Sequence, residues 1–162
     1  MKERINYNIR EIRKEDQDFL FDMLYQAIYV EPGAEPVGRE IIDLPEIKIY
    51  ASDWGRETDY GSIAIDKVTG KKIGAAWLRL IKGFGNISDD IPEIAIAIDL
   101  GYRGKGIGSA LIKHLLEATS GIHKTISLSV QEGNKSAIGL YEKFGFVKYN
   151  KKGTEIIMRY DR

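Results

Sequence analysis

The chain has no cysteine, and this absence removes several kinds of chemistry. Without thiols it has no disulfide, no thiolate metal site and no cysteine acyl-enzyme. No apolar run approaches the roughly 18 residues that a membrane-spanning helix requires. Excess charge is lacking too, because 24 Lys and Arg balance 24 Asp and Glu. Nothing therefore marks a general binder of nucleic acid or of membrane surfaces.

The remaining composition is that of an ordinary globular protein. Hydrophobic residues make up 43% of the sequence and charged residues 30%, as in soluble domains. We expect residues 1–162 to form a single domain, because this length supports one sizeable core. His114 and His123 have no metal-ligand spacing around them, so no metal is expected. We expect no signal peptide, and a cytoplasmic location is then the default expectation.

Hydrophobic periodicity predicts alternating strands and helices. Strands are expected at residues 6–13, 60–66, 73–81, 93–99, 124–130, 146–149 and 154–160. Helices are expected at residues 15–29, 104–119 and 134–144, with one or two short helices between 39 and 54. Gly145 is expected to end the last helix. The pattern predicts an α/β (α+β) fold, in which helices cover both faces of a mixed, mostly antiparallel sheet of about seven strands.

The most informative segment is the glycine-rich run RGKGIG at residues 103–108. It follows the apolar residues 94–98 and precedes an amphipathic segment at 109–118, so it indicates a strand, a tight turn and a helix. Such a turn directs backbone N–H groups and the positive end of a helix dipole at one point, which favours an anion such as phosphate. The glycines let a pyrophosphate approach the backbone closely.

A second motif lies further along the chain, at a separation from the first that is typical of one protein family. It consists of Asn134, Ala137, Tyr141 and the pair Gly145-Phe146. Together with Arg103, Gly106 and Gly108, this motif resembles the GNAT N-acetyltransferase family. After a bulged strand, that family carries the pattern Arg/Gln-x-x-Gly-x-Gly/Ala, in which x is any residue. The resemblance is strongest from residue 93 to 149 and is compatible with the element order elsewhere.

The resemblance implies acetyl-CoA as cosubstrate and assigns residues to it. The pyrophosphate would lie on the backbone of Arg103, Gly104, Lys105, Gly106, Ile107, Gly108 and Ser109. The pantetheine arm would pair with the backbone of Ile96, Ala97 and Ile98, in a gap between this strand and the strand at 124–130. Asn134 would hydrogen-bond the arm, although Asn is equally typical of a helix N-cap.

The resemblance also implies direct attack by a primary amine on the thioester in a ternary complex. At neutral pH about one lysine-like amine in ~2,500 is unprotonated, so a base is useful. Glu93, or a water, is the candidate base; some family members place a glutamate on the next strand, where this chain has Ser129. Tyr141 is the candidate general acid for the leaving thiolate, unless it is only a core aromatic. A backbone N–H near Ile98 would polarise the carbonyl oxygen.

Several alternatives remain open at this point. A non-catalytic acyl-CoA-binding or regulatory module on the same fold is the main one, because fold does not determine function. A nucleotide-binding domain is disfavoured, since no acidic residue follows the turn by about 20 positions. Arg79, on the same strand face as Trp77, either binds a substrate carboxylate or lies at the surface.

The expected acceptor is a small-molecule amine, a protein N-terminus or a lysine side chain. No nucleic acid or membrane partner is expected. The closing hairpin offers a strand edge that is able to pair with a second copy, so a homodimer is among the expected assemblies.

Overall fold

Residues 5–162, which the computed structural model describes, form a seven-stranded sheet with the order β1-β2-β3-β4-β5-β7-β6. The strands are β1 (Tyr7–Glu11), β2 (Tyr60–Asp66), β3 (Lys72–Arg79), β4 (Glu93–Ile98), β5 (Thr125–Gln131), β6 (Val147–Lys152) and β7 (Glu155–Asp161). Neighbouring strands are antiparallel except β4 and β5, which are parallel. The predicted mixed, mostly antiparallel sheet is therefore confirmed.

In the described part of the chain four α-helices accompany the sheet: α1 (Gln17–Ala27), α2 (Pro45–Lys48), α3 (Ile107–Ala118) and α4 (Lys135–Lys143). A 3₁₀ turn precedes α1, so this helix is shorter than predicted. The helix expected from residue 104 begins only at Ile107. Gly104 and Gly106 adopt φ angles of +75° and +82°, which a right-handed helix excludes.

Each face of the sheet has its own apolar core. Ile126, Leu128 and Val130 of β5 pack with α3 and α4 on one face, whereas Trp77 of β3 and Ala97 of β4 pack with α1 on the other. Because side chains alternate along a strand, the polar residues of β5 point toward the α1 face. This face therefore carries a polar strip beside the parallel strand pair.

Arg79 lies buried on the α1 face, which contradicts both expectations for it. Its side chain is 1% exposed and binds Asp59 through two hydrogen bonds of 2.8 and 3.0 Å. The same guanidinium donates to the carbonyls of Ile49 and Ser52. No donor remains for a substrate carboxylate in this arrangement. Arg79 instead holds the segment at residues 49–59 against β3.

Replacement of Arg79 by Ala is expected to lower the free energy of unfolding by about 3–5 kcal/mol, because it leaves a buried carboxylate and carbonyls without a donor. Urea denaturation measures this loss. Arg39→Ala is the matched control: Arg39 pairs with Asp22 where both side chains are 53% exposed, and its loss should cost less than about 1 kcal/mol. Equal effects of the two substitutions would show that the buried pair does not anchor this segment.

Candidate active site

The central feature of the site is the opening between β4 and β5. Within the described chain these strands share a single register pair, Glu93 with Ser127, and the Ser127 N–H donates to the carbonyl of Pro92 at 3.0 Å. Beyond this pair the two parallel strands separate. One edge of β4 is therefore left without a neighbouring strand.

The register of β4 identifies which backbone groups face the opening. Asp99 N–H donates to the Ile73 carbonyl at 2.8 Å, so odd-numbered residues of β4 form the hydrogen-bonded pairs with β3. In an antiparallel ladder the intervening residues direct their N–H and C=O groups the other way. Ile96 and Ile98 therefore present backbone groups to the opening, whereas the backbone of Ala97 bonds to β3. Of the three residues assigned to the pantetheine arm, Ala97 lacks free main-chain groups.

The N-terminus of α3 lies directly after the end of β4. Gly106 is the N-cap residue in the left-handed conformation, and the first intrahelical bond is from Ala110 N–H to the Gly106 carbonyl. The N–H groups of Ile107, Gly108 and Ser109 consequently have no intrahelical acceptor. A Cβ on Gly108 would lie 3.8 Å from the Ile96 side chain. These free donors therefore border the open side of β4.

The basic side chains of the turn have different roles. Arg103 donates from Nε to the Ile98 carbonyl at 3.1 Å and from Nη2 to the Gln26 carbonyl at 3.1 Å. It thus ties the turn to the ends of β4 and α1. The Nζ of Lys105 lies 5.8 Å from the centre of the Tyr102 ring. Lys105 directly precedes Gly106, the N-cap of α3, so its positive charge favours an anion near this turn.

Asn134 is the N-cap of α4, which is one of the two roles predicted for it. Its Oδ1 accepts a hydrogen bond from Ala137 N–H at 3.3 Å. The carboxamide NH₂ group is not needed for this cap, since an Asn side chain has separate donor and acceptor ends. Capping and ligand binding by Asn134 are therefore compatible.

Tyr141 belongs to the core and is 8% exposed. Its ring centre is 5.9 Å from that of Phe146, which returns against the end of α4 after Gly145. Burial raises the pKa of the Tyr141 phenol above its ordinary value, so the hydroxyl keeps its proton at neutral pH. A protonated phenol has the form that a general acid requires.

Glu93 is buried at the start of β4 and is 2% exposed. Gly85 N–H donates to Oε1 at 2.6 Å, and Gly83 N–H donates to Oε2 at 2.8 Å. The Tyr50 hydroxyl donates to Oε1 at 3.1 Å and accepts from Phe84 N–H at 2.8 Å. Burial is the main influence on the Glu93 carboxyl and raises its pKa, against the lowering effect of these hydrogen bonds. Glu93 thus holds the β3–β4 loop in place.

This loop reaches across to β5 through Gly85. A Cβ on Gly85 would lie 2.6 Å from the Leu128 carbonyl carbon, 2.7 Å from Glu93 Oε1 and 2.8 Å from Ser129 N. Only a glycine fits so close an approach. Glu93 and Ser129 therefore border the same small space, on opposite sides of the opening.

Sequence reasoning missed Tyr50 as a member of this site. It stands 43 positions before Glu93, in a segment assigned only to short helices, and no local pattern marks its hydroxyl. The contact requires residues 49–59 to lie on β3, which depends on Arg79 and on the Trp77 Nε1–H bond to the Tyr50 carbonyl at 2.7 Å. The available signal was only a tyrosine within the segment predicted to hold short helices.

Comparison with known proteins identifies the family of this chain. The family model described as "Acetyltransferase (GNAT) family" matches residues 21–146. The chain belongs to the acetyltransferase (GNAT) family. It is 43% identical over 51 residues to a probable spermine N(1)-acetyltransferase of Bacillus subtilis subsp. natto, covering 30% of this chain and 34% of the relative. It is 26% identical over 147 residues to an uncharacterized N-acetyltransferase of Methanocaldococcus jannaschii, covering 86% and 60%.

The GNAT fold is also seen in a solved relative. The ribosomal-protein-S18-alanine N-acetyltransferase from Escherichia coli superposes with a TM-score of 0.68 at 23% identity, over 96% of this chain and 94% of that one. This likeness shows the shared fold. The chain spans about a third of the length of the spermine relative and three-fifths of the archaeal one. Within residues 5–162, no helix of this GNAT chain is long and apolar enough to cross a membrane.

Replacing Tyr50 by Phe tests the Glu93 network. The substitution removes a donor to Glu93 and an acceptor for Phe84 N–H, so the free energy of unfolding should fall by about 1–3 kcal/mol. Chemical denaturation measures the change. Tyr149→Phe is the control, because Tyr149 is 54% exposed on β6 and its loss should stay within about 0.5 kcal/mol. A Tyr50→Phe protein as stable as the control would contradict the proposed hold on the loop.

Proposed function

We propose that this chain transfers an acetyl group from acetyl-CoA to a primary amine, by direct attack in a ternary complex. The observation that carries the proposal is the opening between β4 and β5, which continues into the free N–H groups of α3. An extended amide-containing arm matches the free edge of a strand, and a pyrophosphate matches a helix N-terminus. Family membership makes acetyl-CoA the expected donor.

The residues present fit this donor. Ile96 and Ile98 offer backbone groups to the pantetheine arm, and residues 104–109 offer N–H groups and flexible glycines to the pyrophosphate. Asn134 has a free carboxamide NH₂ for the arm. When bound, acetyl-CoA supplies a thioester whose carbonyl carbon accepts the amine nitrogen.

The amine must lose a proton before it attacks. Glu93 or a water is the base of this proposal, and the raised pKa of Glu93 makes it a stronger base than an ordinary carboxylate. Because Glu93 is 2% exposed beneath the β3–β4 loop, the proton reaches it through Tyr50 or through a water. The Ile98 N–H stabilises charge on the carbonyl oxygen, and Tyr141 protonates the leaving sulfur.

The acceptor class follows from the chemistry and not from a single relative. One relative is named for spermine and another for the alanine of a ribosomal protein. Both names describe an aliphatic primary amine, which is protonated at neutral pH. We therefore propose an aliphatic primary amine, on a small molecule or at a protein N-terminus or lysine, as acceptor.

The second candidate is a non-catalytic acyl-CoA-binding module. The observation that favours it is the burial of Glu93, whose two carboxylate oxygens already accept three hydrogen bonds. Such a module would bind CoA without turnover of any amine. Transfer to an acceptor separates the two functions.

A thermal-shift titration with acetyl-CoA, CoA, ATP and NADH tests the donor site. A ligand at 100 times its dissociation constant adds about 2.7 kcal/mol of stability, and we expect this from acetyl-CoA and CoA alone. Gly106→Asp should abolish the shift, because it places a carboxylate where the phosphates bind and a Cβ where φ is +82°. Stabilisation by ATP or NADH but not by CoA would overturn the acetyltransferase proposal.

Gly70→Asp is the matched control for this titration. Gly70 has a φ of +74° and no neighbouring atom within 4 Å of a Cβ, so it carries the same backbone strain in the β2–β3 turn. It should keep the shift with CoA. A loss of binding in both variants would point to general destabilisation.

Tyr141→Phe tests catalysis separately from binding. The turnover number should fall on the order of tenfold to a hundredfold, because a thiol with a pKa near ~8.5 needs only modest help in leaving. Steady-state kinetics with spermidine and an alanine-terminated hexapeptide measure the rate, and the thermal shift with CoA should be unchanged. Tyr160→Phe is the control, since Tyr160 stacks on the same Phe146 ring at 5.2 Å. Equal rates for both variants would leave Tyr141 a core aromatic.

A further inference from the structure

We propose that Glu155, the first residue of β7, is the carboxylate that receives the ammonium group of the acceptor and accepts its proton. This inference rests on the proposed acetyl transfer and names a residue to which no sequence pattern assigns a role. Glu93 then becomes a positioning residue, which holds Tyr50 and the β3–β4 loop. The argument depends on where Glu155 lies, what it contacts and how exposed it is.

The strand register places Glu155 on the α1 face beside the opening. Glu155 pairs with Gln131 of β5, and the next pair along is Ile157 with Ser129. Ser129 and Gln131 point away from the apolar core that holds Leu128 and Val130, and directly paired residues share a face. The Glu155 carboxylate is therefore on the same side of β5 as Ser129.

The contacts of Glu155 tie it to β5, which forms one side of the opening. Its Oε1 accepts a hydrogen bond from Gln131 Nε2 at 2.5 Å. Ser129, two residues before Gln131 on β5, is on the same face of the sheet as Glu155. Because β5 lies between β4 and β7 in the sheet, Ser129 stands between the opening and the strand that carries Glu155. On the other side of the opening Tyr50 donates to Glu93.

Glu93 and Glu155 differ in exposure, as a positioning residue and a base should. Glu93 is enclosed by two backbone N–H groups and one phenol, so an amine has no direct contact with it. Glu155 remains partly exposed. An incoming ammonium group can therefore meet Glu155 directly.

The charged surroundings of Glu155 are compatible with a base. Partial burial is the main influence on this carboxyl and raises its pKa, against the hydrogen bonds from Gln131 and Ser129. Tyr50 and Glu93 are titratable groups on the other side of the opening. On the neighbouring strand Lys152 stands opposite it in the register, and Arg159 of β7 is paired with Asp161.

The proposed step balances as follows. The ammonium group gives one proton to the Glu155 carboxylate and becomes a neutral amine. The amine nitrogen forms a bond to the thioester carbonyl carbon and loses its second proton to solvent. The carbon–sulfur bond then breaks, and the leaving thiolate takes a proton from Tyr141. Glu155 then releases its proton to solvent, and Tyr141 recovers one. The products are the acetylated amine, CoA with a free thiol, and one released proton.

A purely structural role for Glu155 is the competing explanation. The carboxylate would then serve only to pair with Gln131 across β5 and β7. Gln131→Ala removes that pairing and keeps the carboxylate, whereas Glu155→Gln keeps an acceptor oxygen for Gln131 and removes the base. The two variants therefore separate the explanations.

The experiment measures kcat/KM against pH from 6 to 10 for wild type, Glu155→Gln, Glu155→Asp and Gln131→Ala. The acceptor is spermidine or the alanine-terminated hexapeptide, whichever reacts faster with wild type. At pH 7 Glu155→Gln should lose about 100-fold or more, because only free amine reacts. Its rate should rise about tenfold per pH unit and approach the wild-type rate near pH 10. Glu155→Asp should be slower but keep the wild-type profile, and Gln131→Ala should keep both rate and profile.

Three results would overturn the inference, and they are distinguishable. If Glu155→Gln keeps the wild-type rate and profile, Glu155 is not the base although acetyl transfer stands. If Gln131→Ala loses as much activity as Glu155→Gln, the role of Glu155 is structural. If wild type binds CoA but acetylates neither acceptor nor a lysine peptide, the proposed transfer fails and this inference with it. Thermal unfolding and the CoA shift of each variant serve as folding controls.

Discussion

The structure depends on the point where β4 and β5 stop pairing. One register pair, Glu93 with Ser127, joins them, and beyond it the backbone groups of Ile96 and Ile98 have no strand to bond. Unpaired backbone groups at a strand edge favour a partner that supplies hydrogen bonds. The free N–H groups at the start of α3 follow this edge along the chain. The remainder of the site is arranged around that opening.

Buried charges keep the loops around the opening in place. Arg79 holds the segment at residues 49–59 on β3, and this segment delivers Tyr50. Glu93 then ties Tyr50 and the β3–β4 loop to the start of β4. Because an ionised group in the interior is costly unless its partners are complete, each anchor favours one arrangement of the loop. The acceptor side of the site therefore has a defined shape.

The parts of the fold and of the site that could be predicted are those that short sequence patterns indicate. Alternating apolar residues gave the strands, and the glycines at 104 and 106 gave a turn at the N-terminus of a helix. Asn134 as an N-cap follows from residue type alone. Which residues of β4 direct their backbone groups to the opening was not predictable. The backbone of Ala97 faces away from the opening only because it pairs with β3. Arg79 was misplaced because its partner, Asp59, is 20 positions away.

The sequence by itself determined the family, the strand–turn–helix that suits a pyrophosphate, and the tyrosine on α4, because each depends on residues within one or two neighbouring elements. Only the tertiary structure decided which carboxylate is enclosed and which is open. Glu93 and Glu155 are alike as residue types, and both have raised pKa values from burial. The loop that covers Glu93 approaches it through Gly85, whereas Glu155 stands where β7 begins. Burial and access are properties of the assembled sheet and its loops, so no local pattern encodes them.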